Sequence, residues 1–409
     1  MQLDLDFVRS QFPAFSDPSL ARWRHFENAG GSFACRQAID RLTRFYTQTK
    51  LQPYPHYGPG EAGGAAMSEA RSRLAAYLGI EPDELVIGPS TTQNTYVLAQ
   101  AFRAGWSEGD QIIVTDQDHE ANIGAWRRLA STGIEVREWS ADPASGRLDP
   151  EALGALLTER TRLVAFTHCS NVVGHPNPVA RIVAMARDAG ARTVVDGVAY
   201  APHGLPHVPS LGADVYLFST YKTYGPHQGV MAVRSSVMAE LANQSHHFNG
   251  DVLSKRLVPA GPDHAQVAAI GGVVDYLDAL YAHHVPEAPE ASPEERARRT
   301  HDLMQAHERA LLAPLLAFLE AHDGVRVIGP VSAEERAPTV ACDTVKPPQA
   351  VAAALAEHGI MASWGHFYAP RILERTGVDP ARGVLRLSFT HYTGEQDVGA
   401  LVEALDQVL

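Results

Sequence analysis

The sequence predicts an α/β protein, in which a large, mainly parallel sheet carries helices on both faces and a smaller α+β unit follows it. Three observations lead there. From residue 84 to 234, short β-branched runs alternate with helical stretches, the pattern of strands joined by crossover helices. Several of those runs are apolar throughout, as strands buried on both faces are. A Pro/Glu-rich connector at 285–293 then ends the alternation and marks the best unit boundary. The expected organisation is an N-terminal segment (1–24) packing on the smaller unit, a large unit (25–284) and a small C-terminal unit (285–409).

In chain order, a short helix over 7–12 leads through a Pro-containing loop to His25-Phe26-Glu27-Asn28-Ala29-Gly30-Gly31-Ser32. The paired glycines there allow a sharp turn or a close backbone approach. A helix follows from 36 to 47. The stretch 53–60, with Pro53, Pro55, Gly58, Pro59 and Gly60, is expected to be an irregular loop. Its His56 and Tyr57 make it a candidate pocket wall, since loops often carry function. Strands are predicted at 84–88, 111–115, 135–139, 162–167, 192–196, 214–219 and 229–234. Helices are predicted at 90–104, 122–131, 150–158 and 179–189, and again at 265–283. Beyond the connector, the pattern gives a long helix (294–321), strands at 325–328, 339–341 and 384–388, and helices at 349–358 and from 394.

Composition excludes several classes. Apolar content of 45% and charged content of 20% are those of a globular protein, and the formal charge of −13 argues against a nucleic-acid or membrane-surface partner. No stretch reaches membrane-span length, and the acidic start lacks the apolar core of a signal peptide. Cys35, Cys169 and Cys342 are far apart and odd in number, which gives no disulfide framework and fits a reducing cytoplasm. No GxGxxG follows a strand, so the dinucleotide fingerprint is absent.

The chemistry concentrates at strand ends, where open α/β sheets bind ligands. The run 192–196 ends in Asp196, and the run 214–219 ends in Ser219 and leads to Lys222. A lysine walled by apolar sheet has its ammonium form disfavoured, as an amine nucleophile requires. An acid beside it is suited to hold a pyridinium nitrogen protonated, and a lysine Schiff base with an acidic partner is the signature of pyridoxal phosphate. The bland alternatives are a surface lysine and a turn aspartate before Gly197. Gly88-Pro89-Ser90-Thr91-Thr92 joins a strand to a helix and could take a phosphate, with Ser219 and Tyr221 joining, or could be plain N-capping. His119 could lie flat on a cofactor ring. A metal site at Asp118, His119 and Glu120 is the less favoured alternative, because no second His or Cys cluster has ligand spacing. Asn171 could meet the cofactor's phenolic oxygen or a substrate carboxylate. Arg386, in an apolar strand, needs an anion: either a substrate carboxylate or an internal ion pair.

In this order the motifs resemble class V aminotransferases, within them the cysteine desulfurase-like branch of fold-type I pyridoxal-phosphate enzymes. The resemblance runs from about Phe26 to the C-terminus. It is strongest at Val195-Asp196-Gly197 with Pro202-His203 and at 218–226, then at 168–174 and 118–123. It implies a homodimer with active sites near the subunit interface, and Lys222 as the cofactor-bearing lysine. It also implies Asp196 at the ring nitrogen, His119 on the ring, Thr91, Thr92 and Ser219 at the phosphate, and Arg386 at the substrate carboxylate. Several positions depart from the pattern. Ala199 replaces a common glutamine and Tyr221 a common histidine. Ser363 stands where a second arginine is expected, and Gly261-Pro262 where a Gly-Thr segment reaches the neighbouring phosphate. Tyr368, in Gly365-His366-Phe367-Tyr368, stands where desulfurases carry their cysteine. The expected activity is aminotransferase or C–S lyase chemistry on a small amino acid, with His56, Tyr57, His366 and Tyr368 lining the pocket. A cysteine desulfurase and a silent binding protein of the same fold are the alternatives.

Overall fold

A computed structural model describes residues 2–409. Its largest sheet has seven strands: β1 (Leu85–Gly88), β2 (Gln111–Thr115), β3 (Glu135–Trp139), β4 (Thr161–Thr167), β5 (Arg192–Asp196), β6 (Val215–Ser219) and β7 (Gly229–Val233). Their spatial order is β1-β7-β6-β5-β4-β2-β3. Strand β7 runs antiparallel to both its neighbours, and every other pairing is parallel. The carboxyl ends of β1 to β6 therefore share one edge.

Alternate strand residues feed two cores. Ile113, Val164, Phe166, Val195 and Phe218 pack with helices Arg36–Gln48, Gly58–Leu78, Val179–Asp188 and His264–His284. Ile112, Val114, Leu163, Val194 and Leu217 pack with helices Thr91–Arg103 and Glu120–Arg128. Burial on both faces is why these runs read as continuously apolar.

A second, four-stranded antiparallel sheet comprises β8 (Val325–Val327), β9 (Thr339–Thr344), β10 (Ser363–Gly365) and β11 (Val384–Ser388), in the order β10-β11-β9-β8. Leu312, Leu315 and Leu316 of helix Pro293–Ala321 fill its core together with Leu355, Leu385, Leu387 and Leu401.

Three features differ from expectation. Helix Gly58–Leu78 begins inside the stretch expected to be irregular. Pro59 is tolerated there because first-turn amides need no intrahelical acceptor. The helical glycines admit aromatic rings: a Cβ on Gly64 would lie 2.5 Å from the Tyr54 ring. The N-terminal segment contacts the large unit as well as the small one. Arg9 binds the Tyr392 carbonyl and Asp397, while the Asp4 amide donates to His284 Nε2 at 2.9 Å. Residues 24–28 join the smaller layer: Arg24–His25 pairs in parallel with Ile360–Met361, and Phe26 lies in the second sheet's core. Among the described residues, no helix is long and apolar enough to cross a membrane.

Strand β7 passes directly under the start of helix Thr91–Arg103. A Cβ on Gly229 would lie 2.3 Å from the Ser90 carbonyl carbon and 2.4 Å from the Thr91 nitrogen. Gly229→Ala is therefore expected to destabilise by ~1–3 kcal/mol, as overpacking against immovable backbone does. On the outer face of helix Glu395–Val408, Gly399 is exposed with open space around it, so Gly399→Ala should be neutral or stabilising. Urea unfolding midpoints of the two variants test the contrast.

Candidate active site

The strand ends form a cleft with an inner cavity of about 130 Å³ and an outer one of about 600 Å³. The inner cavity is lined by Thr91, Thr92, His119, Asn171, Asp196, Ala199, Ser219, Tyr221 and Lys222, all anticipated, together with Ser90, Cys169, Val198 and His227. His119, Asn171, Tyr221 and Lys222 also line the outer cavity, where they meet Glu27, Trp364, His366, Phe367, Tyr368 and Arg386.

Lys222 ends the single helical turn that follows β6. The chain has four lysines, and Lys50, Lys255 and Lys346 are exposed while Lys222 is buried. Burial, then the nearby Arg386 charge, pull its amine down to about 8, against a smaller opposing pull from Asp196. Asp196 ends β5 and is 4% exposed. Burial pushes its carboxyl up to about 6. One oxygen accepts from the Val198 amide at 2.8 Å, so the turn contact is made while the other oxygen stays available. Gly197 is required next to it, because a Cβ there would lie 2.0 Å from the Tyr216 hydroxyl.

His119 caps the helix Glu120–Arg128, its Nδ1 accepting from the Ala121 amide at 2.9 Å. The proton of the neutral ring is thereby assigned to Nε2. Burial, then the Lys222 and Arg386 charges, press its pKa down to about 3. The neighbouring acids turn elsewhere. Asp118 accepts from Asn122 and Thr115 inside the sheet, and Glu120 pairs with Arg371. Among the described residues no group of three His, Cys, Asp or Glu side chains could hold a metal ion.

At the other end, Ser90 caps helix Thr91–Arg103 and accepts from the Gln93 amide. Thr91 and Thr92 open the helix, where first-turn amides have no intrahelical acceptor. The Thr91 hydroxyl donates to the Phe218 carbonyl at 3.3 Å, and Ser219 Oγ to the Gln228 carbonyl at 3.3 Å. Tyr221 stacks on His227 with ring centroids 4.7 Å apart.

Arg386 sits on β11, 3% exposed. Of the two anticipated anions the structure holds the internal one: Glu27 Oε1 accepts from one terminal nitrogen at 2.8 Å, while Nε is buried without a partner. The Phe367 ring lies against the guanidinium, 3.8 Å from centroid to Cζ. Asn171 Nδ2 donates to the Phe367 carbonyl at 2.9 Å, and its Oδ1 is buried and unpartnered.

His366 and Tyr368 line the outer cavity as expected, but His56 and Tyr57 line neither. Both are exposed on the loop that runs into helix Gly58–Leu78, which belongs to the helical layer and not to the strand-end edge. Glu27, Phe367, His227, Val198 and Trp364 are among the lining residues that sequence reasoning missed. The Gly30-Gly31 pair was the available signal for Glu27, since a Cβ on Gly30 would lie 2.6 Å from Glu27 Oε1.

The family model for aminotransferase class V matches residues 24–257 and 298–401. The chain belongs to the class V aminotransferase family. Pyridoxal phosphate is the cofactor of that family. An aminotransferase-like protein of Gibberella zeae is 33% identical over 99% of this chain and 98% of its own. A probable cysteine desulfurase of Pseudomonas aeruginosa is 31% identical over 98% and 97%. Among solved structures, a cysteine desulfurase of Escherichia coli superposes over 100% of this chain and 99% of its own, with a TM-score of 0.83 at 24% identity. This class V member shares that fold, and its strand-end cleft is the place to look for the chemistry.

A buried lysine leaves a signature in stability. Between about pH 8 and 10.5 the unfolded chain still holds the proton that folded Lys222 has released, so folding gains stability as pH rises through that window. Lys222→Met is expected to remove this slope and to stabilise the cofactor-free protein most below pH 8. Urea melts of both proteins from pH 7 to 10.5 test this.

Proposed function

We propose that the chain is a pyridoxal-phosphate enzyme acting at the α- or β-carbon of a small amino acid, with aminotransferase or C–S lyase type chemistry. A homodimer in the cytoplasm is part of this reading. One observation carries it: the single buried lysine and a buried carboxylate line one cleft at the ends of adjacent strands, beside an uncharged imidazole.

The residues fit the cofactor. Lys222 is a buried amine whose neutral form is accessible near physiological pH, as attachment to an aldehyde requires. Asp196 keeps one oxygen for a ring N–H, and Asn171 Oδ1 lacks a partner. Ser90, Thr91, Thr92 and Ser219 gather hydroxyls and helix amides suited to phosphate. When bound, the group supplies an electron sink for bonds breaking at the substrate's α-carbon. Asp196 would hold the proton on the ring nitrogen, its charge stabilised by that contact. His119, pinned as a cap, would present a flat neutral face. Lys222, with its amine free and neutral, would serve as the base that moves the α-proton. Arg386 would hold the substrate carboxylate through its free Nε–H edge.

Desulfuration is the second reading, favoured by the identity with a probable cysteine desulfurase. It requires a thiolate. Cys35, Cys169 and Cys342 are all buried, with thiols pushed up to about 12 by burial, and none lies on the loop of Tyr368. Cys169 lines the inner cavity, so it is the thiol to test first.

Purified protein loaded with cofactor and mixed with a panel of L-amino acids distinguishes the readings. Loss of the visible cofactor band to a pyridoxamine spectrum indicates transamination, and release of pyruvate and ammonia indicates elimination. Sulfide release that disappears when the three cysteines are replaced by alanine would establish desulfuration instead. No spectral response to any amino acid would refute the proposal.

A further inference from the structure

The geometry points to Phe367 as the positioning residue that aims Arg386 at a substrate carboxylate, and so as a determinant of selectivity for amino acids over amines. This rests on Arg386 being the carboxylate site.

A guanidinium presents a planar fork, and what it can bind depends on which edges are free. For Arg386, Glu27 takes one terminal nitrogen, and the Asn171 carbonyl stands 3.5 Å from the other. The Nε–H remains buried and unpartnered. Phe367 covers one face at 3.8 Å, so a ligand must approach by the edge. In this buried setting the ring also offsets part of the desolvation of the cation, where cation–π contacts are strongest.

The backbone that delivers the ring is held by other contacts. Phe367 and Tyr368 have φ of +50° and +57°, a left-handed conformation that costs each non-glycine residue free energy. Four hydrogen bonds over-determine it. Asn171 Nδ2 donates to the Phe367 carbonyl at 2.9 Å, and the Glu120 amide to the Tyr368 carbonyl at 2.7 Å. The Tyr368 amide donates to His366 Nδ1 at 3.0 Å, and the Ala369 amide to the His366 carbonyl at 2.8 Å. None of these uses the Phe367 side chain, so the ring can be exchanged while its frame stays. The loop joins β10 to helix Pro370–Arg375 and meets, through the Tyr368 carbonyl, the start of the helix that follows His119, so the same anchor ties the position of Arg386 to the cofactor end of the cleft.

The test uses cofactor-loaded wild type, Phe367→Leu, Phe367→Tyr and Arg386→Gln. Binding is read as the change in the cofactor absorption band with three matched pairs: L-alanine and ethylamine, L-serine and ethanolamine, L-cysteine and cysteamine. Wild type should prefer the amino acid in each pair. Phe367→Leu should lower that preference by about tenfold, the scale of one desolvated cation–π contact. Ethylamine affinity and the affinity for pyridoxal phosphate should stay within about threefold, the small change expected where no charged contact is lost. Phe367→Tyr should restore the preference. For the best-turned-over amino acid, KM should rise in Phe367→Leu with kcat nearly unchanged, the mark of lost uniform binding. If Arg386→Gln leaves the preference intact, the carboxylate site lies elsewhere and the underlying reading fails. If Arg386→Gln abolishes it and Phe367→Leu does not, the inference about Phe367 is overturned. Should Phe367→Leu fail to retain cofactor, Phe367→Met takes its place with the same expectations.

Discussion

The site depends on the desolvation of one amine. Lys222 lies where the ends of apolar strands exclude water, and the proton on its nitrogen is destabilised accordingly. The partial counterweight is Asp196 on the adjacent strand, itself pushed toward neutrality by the same burial. Each group bears the cost of its burial. A ligand offering an electrophilic carbon to the amine and a basic ring nitrogen to the acid relieves both at once.

Everything around this pair keeps it in place without competing for it. Tyr216 under Gly197 forces a glycine after the acid, so the chain turns away and leaves one carboxylate oxygen free. The cap at Ala121 holds the His119 ring by one nitrogen, and burial keeps the ring uncharged beside a cation it would otherwise repel. The same logic recurs at Arg386, a second buried cation in the cleft. It is held by Glu27 along one edge and Phe367 across one face, with one N–H left over. The smaller sheet supplies this arginine and the larger one supplies the lysine. Their relative placement therefore depends on contacts crossing between the two, among them Asn171 to Phe367 and the Glu120 amide to Tyr368.

Much of this was legible in the residues. Strands β2, β5 and β11 fall where the apolar runs lie, because burial on both faces leaves no alternation to confuse with a helix. Asp196, which ends β5, and Ser219, which ends β6, line the inner cavity. Sequence reading failed where tertiary context overrides local preference. Helix Gly58–Leu78 is rich in glycine and opens with proline, and it is sustained by packing against helices His264–His284 and Pro293–Ala321. The pairing of Arg24–His25 with Ile360–Met361 is too short to leave a pattern. His56 and Tyr57 are exposed outside both cavities of this chain. Phe367 reads as one more aromatic in a loop, and only its left-handed backbone and the arginine beneath it mark it out.

The most direct measurement is the location of the cofactor bond. Pyridoxal phosphate is added to the purified protein, the complex is reduced with borohydride, and the digested peptides are weighed. With four lysines in the chain, the assignment is unambiguous. The account predicts the phosphopyridoxyl mass on the peptide containing Lys222 and on no other, at one equivalent per chain. A label spread over Lys50, Lys255 and Lys346, or none at all, would contradict it.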